Sequence, residues 1–274
     1  MNLDIAFGQY CEGNSILHRL DPRVKIIASI LYIIVIFLAD TLAAFALLVV
    51  SAIVLVALSG ISPRIVLRGM KPLAVVITFT VIVNIFWMTG DTLLWEWKFI
   101  HIYAEGLINA LLIAIRILVL LVGTSIFMTY TTTPIALTDG LEQLLAPLAK
   151  LHLPVHEFSM MMTIALRFIP TLVEETQKIM NAQKARGADF STGSLVQRIR
   201  ALIPVLVPLF ISAFRRADEL ATAMECRCYT GGEGRTRMNV LHAGFKDAAA
   251  CLLIAVLGVG VILLNGVGGY ALAW

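Results

Sequence analysis

Charged residues are scarce in this chain. Only 14% of its 274 residues are Asp, Glu, Lys or Arg, whereas 59% are hydrophobic, and the mean hydropathy is +0.89. Soluble domains carry about 25% charged residues, so the composition excludes a soluble domain and predicts an integral membrane protein. The apolar runs are unbroken and contain Pro and Gly, which favours helices over the short alternating segments typical of a membrane barrel.

Motifs of metal binding, nucleotide binding and catalysis are also lacking. The four cysteines have no metal-ligand spacing, since the Cys226-x-Cys228 pair has no second pair of ligands to complete a zinc site. The run Gly231-Gly232-Glu233-Gly234 follows a helical pattern and lacks the Gly-Lys-Ser/Thr ending of a phosphate loop. No nucleophile–base pair lies within a span. The first twenty residues are polar, so no signal peptide is expected.

Five apolar segments predict five membrane-spanning helices. They cover residues 25–39, 41–59, 73–88, 105–130 and 248–265. Asp21-Pro22 predicts the start of the first helix, with Asp21 as N-cap and Pro22 at the first helical position. Residues 90–105 are predicted to form a loop, with Trp95, Trp97 and Tyr103 at a membrane interface.

Loop charge predicts the orientation of these spans. The segments around residues 19–25 and 64–71 and the central segment are basic, whereas the other loops and the C-terminal tail are not. Positive charge favours the cytoplasmic side, so the N-terminus is expected inside and the C-terminus outside. The result is an all-α membrane protein with three parts: four transmembrane helices in residues 1–130, a cytoplasmic coupling domain over 131–246, and a transmembrane helix over 247–274.

The central part contains about 13 of the 21 Lys and Arg residues. Its periodicity predicts helices over residues 135–150, 155–186 and 194–229, with the second interrupted or bent at Pro170. The last two would each be about 45 Å long by the helical rise, too long for burial in one small domain. Amphipathic helices lying along the membrane surface fit better, although residues 204–214 are apolar enough to dip into the membrane.

Both long helices end in an arginine tripeptide. Ala185-Arg186-Gly187 has the composition of a helix C-terminus, because arginine favours the helix dipole and glycine adopts the left-handed cap. Cys226-Arg227-Cys228 repeats the pattern ahead of Gly231. An arginine at a helix tip is also a good anchor for an acidic groove on another protein, because its planar fork pairs bidentately with carboxylates. A cap and a docking tip are compatible.

These two tripeptides, together with motifs along most of the chain, resemble the transmembrane T component of energy-coupling factor (ECF) vitamin transporters. The supporting motifs are Gly8-Gln9-Tyr10, Gly13-Asn14-Ser15, His18-Arg19-Leu20-Asp21-Pro22-Arg23, Thr132-Thr133-Pro134, Arg167-Phe168-Ile169-Pro170, Ala223-Met224-Glu225 and Gly231-Gly232 with Gly234-Arg235-Thr236-Arg237. The N-terminal motifs are most similar to T components that several substrate-binding S components share.

The resemblance implies a non-catalytic scaffold in the prokaryotic cell membrane. It would join one S component, exchangeable in the shared type, to two cytoplasmic ABC-type ATPases, for import of a vitamin or transition metal. The resemblance assigns ATPase docking to Arg186 and Arg227, with Ala185, Gly187, Cys226 and Cys228 beside them. ATP and Mg would be bound by the ATPases. No cofactor, metal site or nucleic acid is expected for this chain, whose remaining partner is the lipid bilayer.

Two alternatives stay open at the level of sequence. A self-contained secondary transporter would need paired intramembrane ionisable groups or inverted repeats, and Arg116 near the middle of the fourth span is its main support. The resemblance favours a structural or partner-facing role for Arg116 instead. An intramembrane enzyme would need a nucleophile–base pair or a metal motif within a span.

Overall fold

The structure, a computed structural model, describes residues 10–87, 93–97, 100–147, 154–190, 194–231, 241 and 244–266. Its elements in chain order are α1 (Pro22–Phe37), α2 (Leu42–Ser59), α3 (Pro63–Trp87), β1 (Leu93–Trp97), β2 (Ile100–Tyr103), α4 (Ala104–Thr124) with a π-helical continuation (Ser125–Tyr130), α5 (Pro134–Leu145), α6 (Val155–Ala185), α7 (Leu195–Cys226) and α8 (Phe245–Gly266). The predicted all-α membrane fold is confirmed, apart from one short pair of strands.

Two compact units are formed. The first comprises Met1–Gln143 and Val240–Trp274, and the second comprises Leu144–Asn239. Most of α5 therefore belongs with the membrane helices, whereas the sequence-based boundary falls before it, at residue 131. That three-part division stays a prediction.

Helices α1, α2, α4 and α8 surround the core of the first unit. Tyr32 of α1 is buried and its hydroxyl is hydrogen-bonded to Ser51 of α2 at 3.0 Å. Gly123 of α4 lies directly against the Tyr32 ring, and a Cβ atom at that position would overlap the ring. Gly258 of α8 similarly faces Val35, where a Cβ would lie 3.0 Å from a methyl carbon. Small residues thus allow close helix packing, as is usual between membrane helices.

The predicted N-terminus of α1 is confirmed. The Asp21 side chain accepts a hydrogen bond from the Arg23 amide, and Pro22 begins the helix. The Asp21 side chain gives a first-turn amide a partner, and Pro22 has no amide hydrogen that would need one.

The loop predicted over residues 90–105 is wrong in part. β1 and β2 pair antiparallel, with Trp95 opposite Ile102 and Trp97 opposite Ile100. The β-branched and aromatic residues of this stretch have high strand propensity. Residues 88–92 and 98–99 lie outside the described part of the chain.

Five helices of the described chain are long and apolar enough to cross a membrane: α2, α3, α4 with its π-helical continuation, α7 and α8. The number of candidate spans agrees with the prediction, but the helices that make up the five are not all the predicted ones. α1 has only 16 residues; one of its faces is buried, and the other exposes Ile30 and Ile34. α7, which the sequence places on the membrane surface, has the length and apolarity of a span because its charged residues lie on either side of an apolar stretch over residues 201–214.

The second unit consists mainly of α6 and α7, which pack against each other. α6 has 31 residues and continues through Pro170, and α7 has 32 residues and continues through Pro204 and Pro208. An interruption at Pro170 is therefore not seen, although proline removes one amide donor from the helix there. The predicted lengths are confirmed, and the end of the helix predicted over 135–150 lies outside the described residues.

Candidate functional site: the arginine tips of two long helices

The C-terminus of α6 is a Schellman cap with Arg186 at the C-cap position. The Gly187 amide donates to the Lys184 carbonyl at 2.9 Å, and the Ala188 amide donates to the Gln183 carbonyl at 3.0 Å. Gly187 has φ of +89°, the left-handed conformation that this cap requires. A Cβ at Gly187 would meet no atom within 4 Å. The positive φ, and not a lack of space for a side chain, therefore explains why glycine occupies this position.

The C-terminus of α7 repeats both of these capping bonds. The Cys228 amide donates to the Glu225 carbonyl at 2.8 Å, and the Tyr229 amide donates to the Met224 carbonyl at 3.0 Å. Arg227 is the C-cap residue. Cys228 takes the place of Gly187 and is the one non-glycine residue with positive φ, +55°, in the described chain. The sequence resemblance between the two tripeptides thus corresponds to one backbone geometry.

Both arginine side chains are solvent-exposed. Within the described residues neither forms an ion pair, and the flanking Ala185, Cys226 and Cys228 are exposed as well. The capping bonds are made by backbone amides, so each guanidinium is exposed at the end of its helix without a role in the cap. This arrangement suits recognition of a carboxylate on another molecule.

An ion pair joins the two helices at matching distances from their tips. Arg216 of α7 donates to Glu175 of α6 at 3.1 Å. Arg186 lies eleven residues after Glu175, and Arg227 lies eleven residues after Arg216. By the helical rise, each tip is about 17 Å along its helix from the pair. This ion pair therefore links α6 and α7 at a position that is equally far, along each helix, from the C-terminal cap of that helix.

Glu175 is held in its charged form at this crossing. A hydrogen bond from Ser212 is the main cause that lowers the pKa of Glu175. Burial opposes this effect, and the charge and hydrogen bond of Arg216 lower the pKa further. The pair is partly exposed on both sides. It was not predicted from the sequence, since Glu175 and Arg216 are 41 positions apart and each resembles an ordinary surface charge.

Arg116 does not belong to this site. Its guanidinium donates to the Ala39 carbonyl and lies 3.9 Å from the Asp40 carboxylate, in the turn between α1 and α2. The rings of Phe37 and Phe45 are 5.9 and 5.3 Å from it. Asn265 of α8 binds the same turn through the Asp40 amide and the Leu38 carbonyl. Arg116 thus holds a turn in place, which fits the first part of the structural or partner-facing role expected for it.

A second polar cluster lies in the first unit at the N-terminal end of α1, whereas the turn held by Arg116 follows the C-terminal end of α1. The Asp247 carboxylate accepts hydrogen bonds from the Asp21 amide at 2.8 Å and the Gly244 amide at 2.7 Å. The buried Lys25 ammonium donates to the Thr131 carbonyl at 2.7 Å. Arg23 donates to the Asp21 carboxylate and to the Leu241 carbonyl. The start of α1, the end of α4 and the start of α8 therefore meet at one buried junction.

Metal ligands do not converge anywhere in the described part of the chain: no group of three or more His, Cys, Asp or Glu side chains there could hold an ion. The four cysteines are free thiols.

Apolar helices of membrane length and two long helices with matching arginine caps define a class, that of helical integral membrane proteins with an exposed pair of arginine tips. Comparison with known proteins makes this specific. Residues 13–238 match the sequence model of the family described as cobalt transport protein, CbiQ.

Similar proteins over nearly the full length are described as energy-coupling factor transporter transmembrane protein EcfT. The one from Ruminiclostridium cellulolyticum is 52% identical over 262 residues, which cover 96% of this chain and 97% of the relative. Those from Clostridium kluyveri and Bacillus subtilis are 50% and 45% identical, covering 93% and 95% of this chain and 94% and 98% of the relatives. The chain belongs to this CbiQ/EcfT family of membrane transport proteins, and the resemblance drawn from its motifs is confirmed.

Proposed function

We propose that this chain is the non-catalytic T component of an ATP-driven ECF-type importer. The observation that carries the proposal is the identical cap at the ends of α6 and α7, with Arg186 and Arg227 exposed at the same position. The names of the relatives support membership of an ECF transporter. The substrate would be a micronutrient, a vitamin or a transition metal.

Each arginine tip would dock in an acidic groove of one ABC-type ATPase subunit. A guanidinium binds carboxylates bidentately, and a C-cap residue on a rigid helix loses little freedom when it binds. Ala185 and Gly187 beside Arg186, and Cys226 and Cys228 beside Arg227, are small residues that would let the groove close around each tip.

The motion of the ATPases would reach the membrane through α6 and α7. The Glu175–Arg216 pair ties the two helices, so a displacement of one tip changes the position of the other. α7 exposes several large apolar side chains over its first two-thirds, among them Leu206, Phe210 and Phe214. This surface is proposed to contact the S component, whose orientation would follow the tilt of the helix.

ATP and Mg would be bound by the partner ATPases, with no cofactor in this chain. The protein would lie in the prokaryotic cell membrane, with the N-terminus and the arginine tips in the cytoplasm and the C-terminus outside. The S component would select the substrate. In the shared type, one S component would be exchanged for another on the same T component.

Charge reversal at both tips tests the docking. Co-expression of Arg186→Glu/Arg227→Glu with the ATPases is expected to abolish their co-purification while the protein still inserts in the membrane. When the two ATPase subunits differ from each other, each single charge reversal is expected to release only one of them. The matched control is Arg198→Glu/Arg200→Glu, which reverses two exposed charges near the start of α7 and should leave the complex intact.

A complex that survives the double reversal at the tips would refute the docking assignment. Transport into vesicles by the purified chain alone would instead favour a self-contained secondary transporter. No observation favours that alternative at present, because Arg116 is engaged by the turn at Asp40.

A further inference from the structure

An apolar groove runs between α2, α3 and α4 of the first unit. Its volume is about 830 Å³, and its fifteen lining residues are all apolar or glycine. Val49 and Val56 of α2, Leu67 and Met70 of α3, and Leu118 and Val122 of α4 are among them. Ligand sites of proteins have volumes of roughly 300–1,000 Å³, so the groove is large enough for a specific apolar occupant.

Three cations border the groove on one side. Arg64, Arg68 and Lys71 recur at helical spacing on α3 and are exposed, so they form one stripe beside the lining residue Leu67. α3 contains no acidic residue. Within the described residues none of the three cations has an ion-pair partner. The stripe is therefore a positive surface without a paired counter-charge among the residues that the structure describes.

A polar cavity adjoins the same end of the groove. Its volume is about 240 Å³, and Gly60 and Ile61 line both spaces. Glu12, Asn14 and Ser62 are among its polar lining residues. Carboxylate, amide and hydroxyl groups bind hydroxyl groups well, whereas Glu12 makes this cavity unsuitable for a phosphate. An apolar groove, a cationic border and a hydroxyl-binding cavity thus follow one another in space.

We propose that this groove binds an anionic phospholipid with a hydroxylated headgroup, of the phosphatidylglycerol type. An acyl chain lies among the apolar residues of α2, α3 and α4. The phosphate lies against Arg64, Arg68 and Lys71, and the headgroup glycerol enters the polar cavity. Complementary charge selects this occupant over a partner helix, since an apolar helix would leave the three cations without a counter-charge. The inference is independent of the docking role of the arginine tips.

Spin-labelled lipids test the site in nanodiscs that contain the full chain. The motionally restricted fraction of labelled phosphatidylglycerol is compared with that of labelled phosphatidylcholine. The wild-type protein is expected to prefer phosphatidylglycerol by at least about fivefold, the factor that one cation near an anionic lipid contributes. Arg64→Gln/Arg68→Gln/Lys71→Gln should reduce this preference to near one. The charge-matched control, Arg198→Gln/Arg200→Gln/Arg215→Gln, removes three exposed cations of α7 and should keep it.

A second pair of variants tests the groove itself. Ala57→Phe fills the groove from an exposed position of α2, whereas Ala46→Phe adds the same ring at an exposed position of α2 outside the lining. Only Ala57→Phe should reduce the restricted phosphatidylglycerol fraction. The proposal is overturned if the wild type shows no preference, if Ala57→Phe and Ala46→Phe behave alike, or if the α7 control loses the preference equally. Competition by soluble glycerol phosphate would also overturn it, because binding would then not require the acyl chain.

Discussion

At the residue scale, the two tips differ at one backbone position. Gly187 and Cys228 both have positive φ, but only glycine adopts this conformation without a penalty. The penalty at Cys228 is of order 1–2 kcal/mol for an L-residue, partly offset because cysteine restricts the unfolded chain more than glycine does. The cap of α7 is therefore expected to be the weaker of the two.

Reciprocal substitutions should reveal this difference. Gly187→Ala is expected to destabilise the α6 cap by about 1 kcal/mol, entirely through φ because the site is open. Cys228→Gly should strengthen the α7 cap by about 0.5 kcal/mol. Hydrogen exchange of the capping amides, those of Ala188 and Tyr229, measures both effects. Changes of the same sign at the two tips would contradict the shared cap geometry.

At the scale of elements, the Glu175–Arg216 ion pair links the two long helices in addition to their packing. Glu175 and Arg216 are partly exposed, so their pairing contributes about 0.5 kcal/mol and little to overall stability. Its expected role is to restrict the angle between α6 and α7. A small change of helix angle at this ion pair would displace both tips by a larger distance, because each tip is about 17 Å away along its helix.

Spin labels at positions 185 and 226, in a background without other cysteines, can measure that restriction. Glu175→Gln is expected to broaden the distance distribution between the labels, and so is Arg216→Gln. The double charge swap Glu175→Arg/Arg216→Glu should restore a narrow distribution if the pair acts as a tie. Glu174→Gln, next to Glu175 in α6, serves as control. Equal distributions in the wild type and in Glu175→Gln would exclude this role.

Some structural features of these elements could be predicted from the sequence, and others could not. The start of α1 at Asp21-Pro22 and the ends of α6 and α7 could be predicted because a helix terminus is decided by neighbouring residues. The Glu175–Arg216 pair and the contact of Arg116 with Asp40 could not, since their partners are brought together only by helix packing. The strands β1 and β2 were missed because their aromatic residues also fit a membrane interface.

At the scale of the whole molecule, the buried junction of Asp21, Arg23 and Asp247 holds the two ends of the first unit together. The Asp21 amide and the Asp247 carboxylate are 226 positions apart in the chain. Between them the chain leaves the first unit and returns to it. The junction therefore joins two segments of the first unit that are far apart in the chain, and its loss should unfold the first unit rather than a single helix.

Acid should weaken this junction in a defined pH range. Burial alone would raise the pKa of Asp21, but hydrogen bonds from Arg23 and the charges of Arg23 and Lys25 outweigh it and lower the pKa below its ordinary value of 3.8. A lowered carboxyl pKa contributes stability that is fully present above the unfolded-state pKa and is lost as the pH falls through the folded-state pKa. The thermal midpoint of the purified protein, followed by tryptophan fluorescence, is therefore expected to lose the Asp21 contribution only below about pH 4.

Asp21→Asn isolates this contribution. Asparagine still caps a helix, so the variant should fold, with a free energy of unfolding about 1 kcal/mol lower at pH 7 because the charge beside Arg23 is gone. The difference between variant and wild type should shrink as the pH falls below 4, since protonation removes the same charge from the wild type. Asp218→Asn, at an exposed position of α7, should follow the wild-type curve throughout. A difference that stays constant down to pH 3 would mean that the Asp21 charge does not hold the junction, and that the backbone bond from the Asp21 amide to Asp247 suffices.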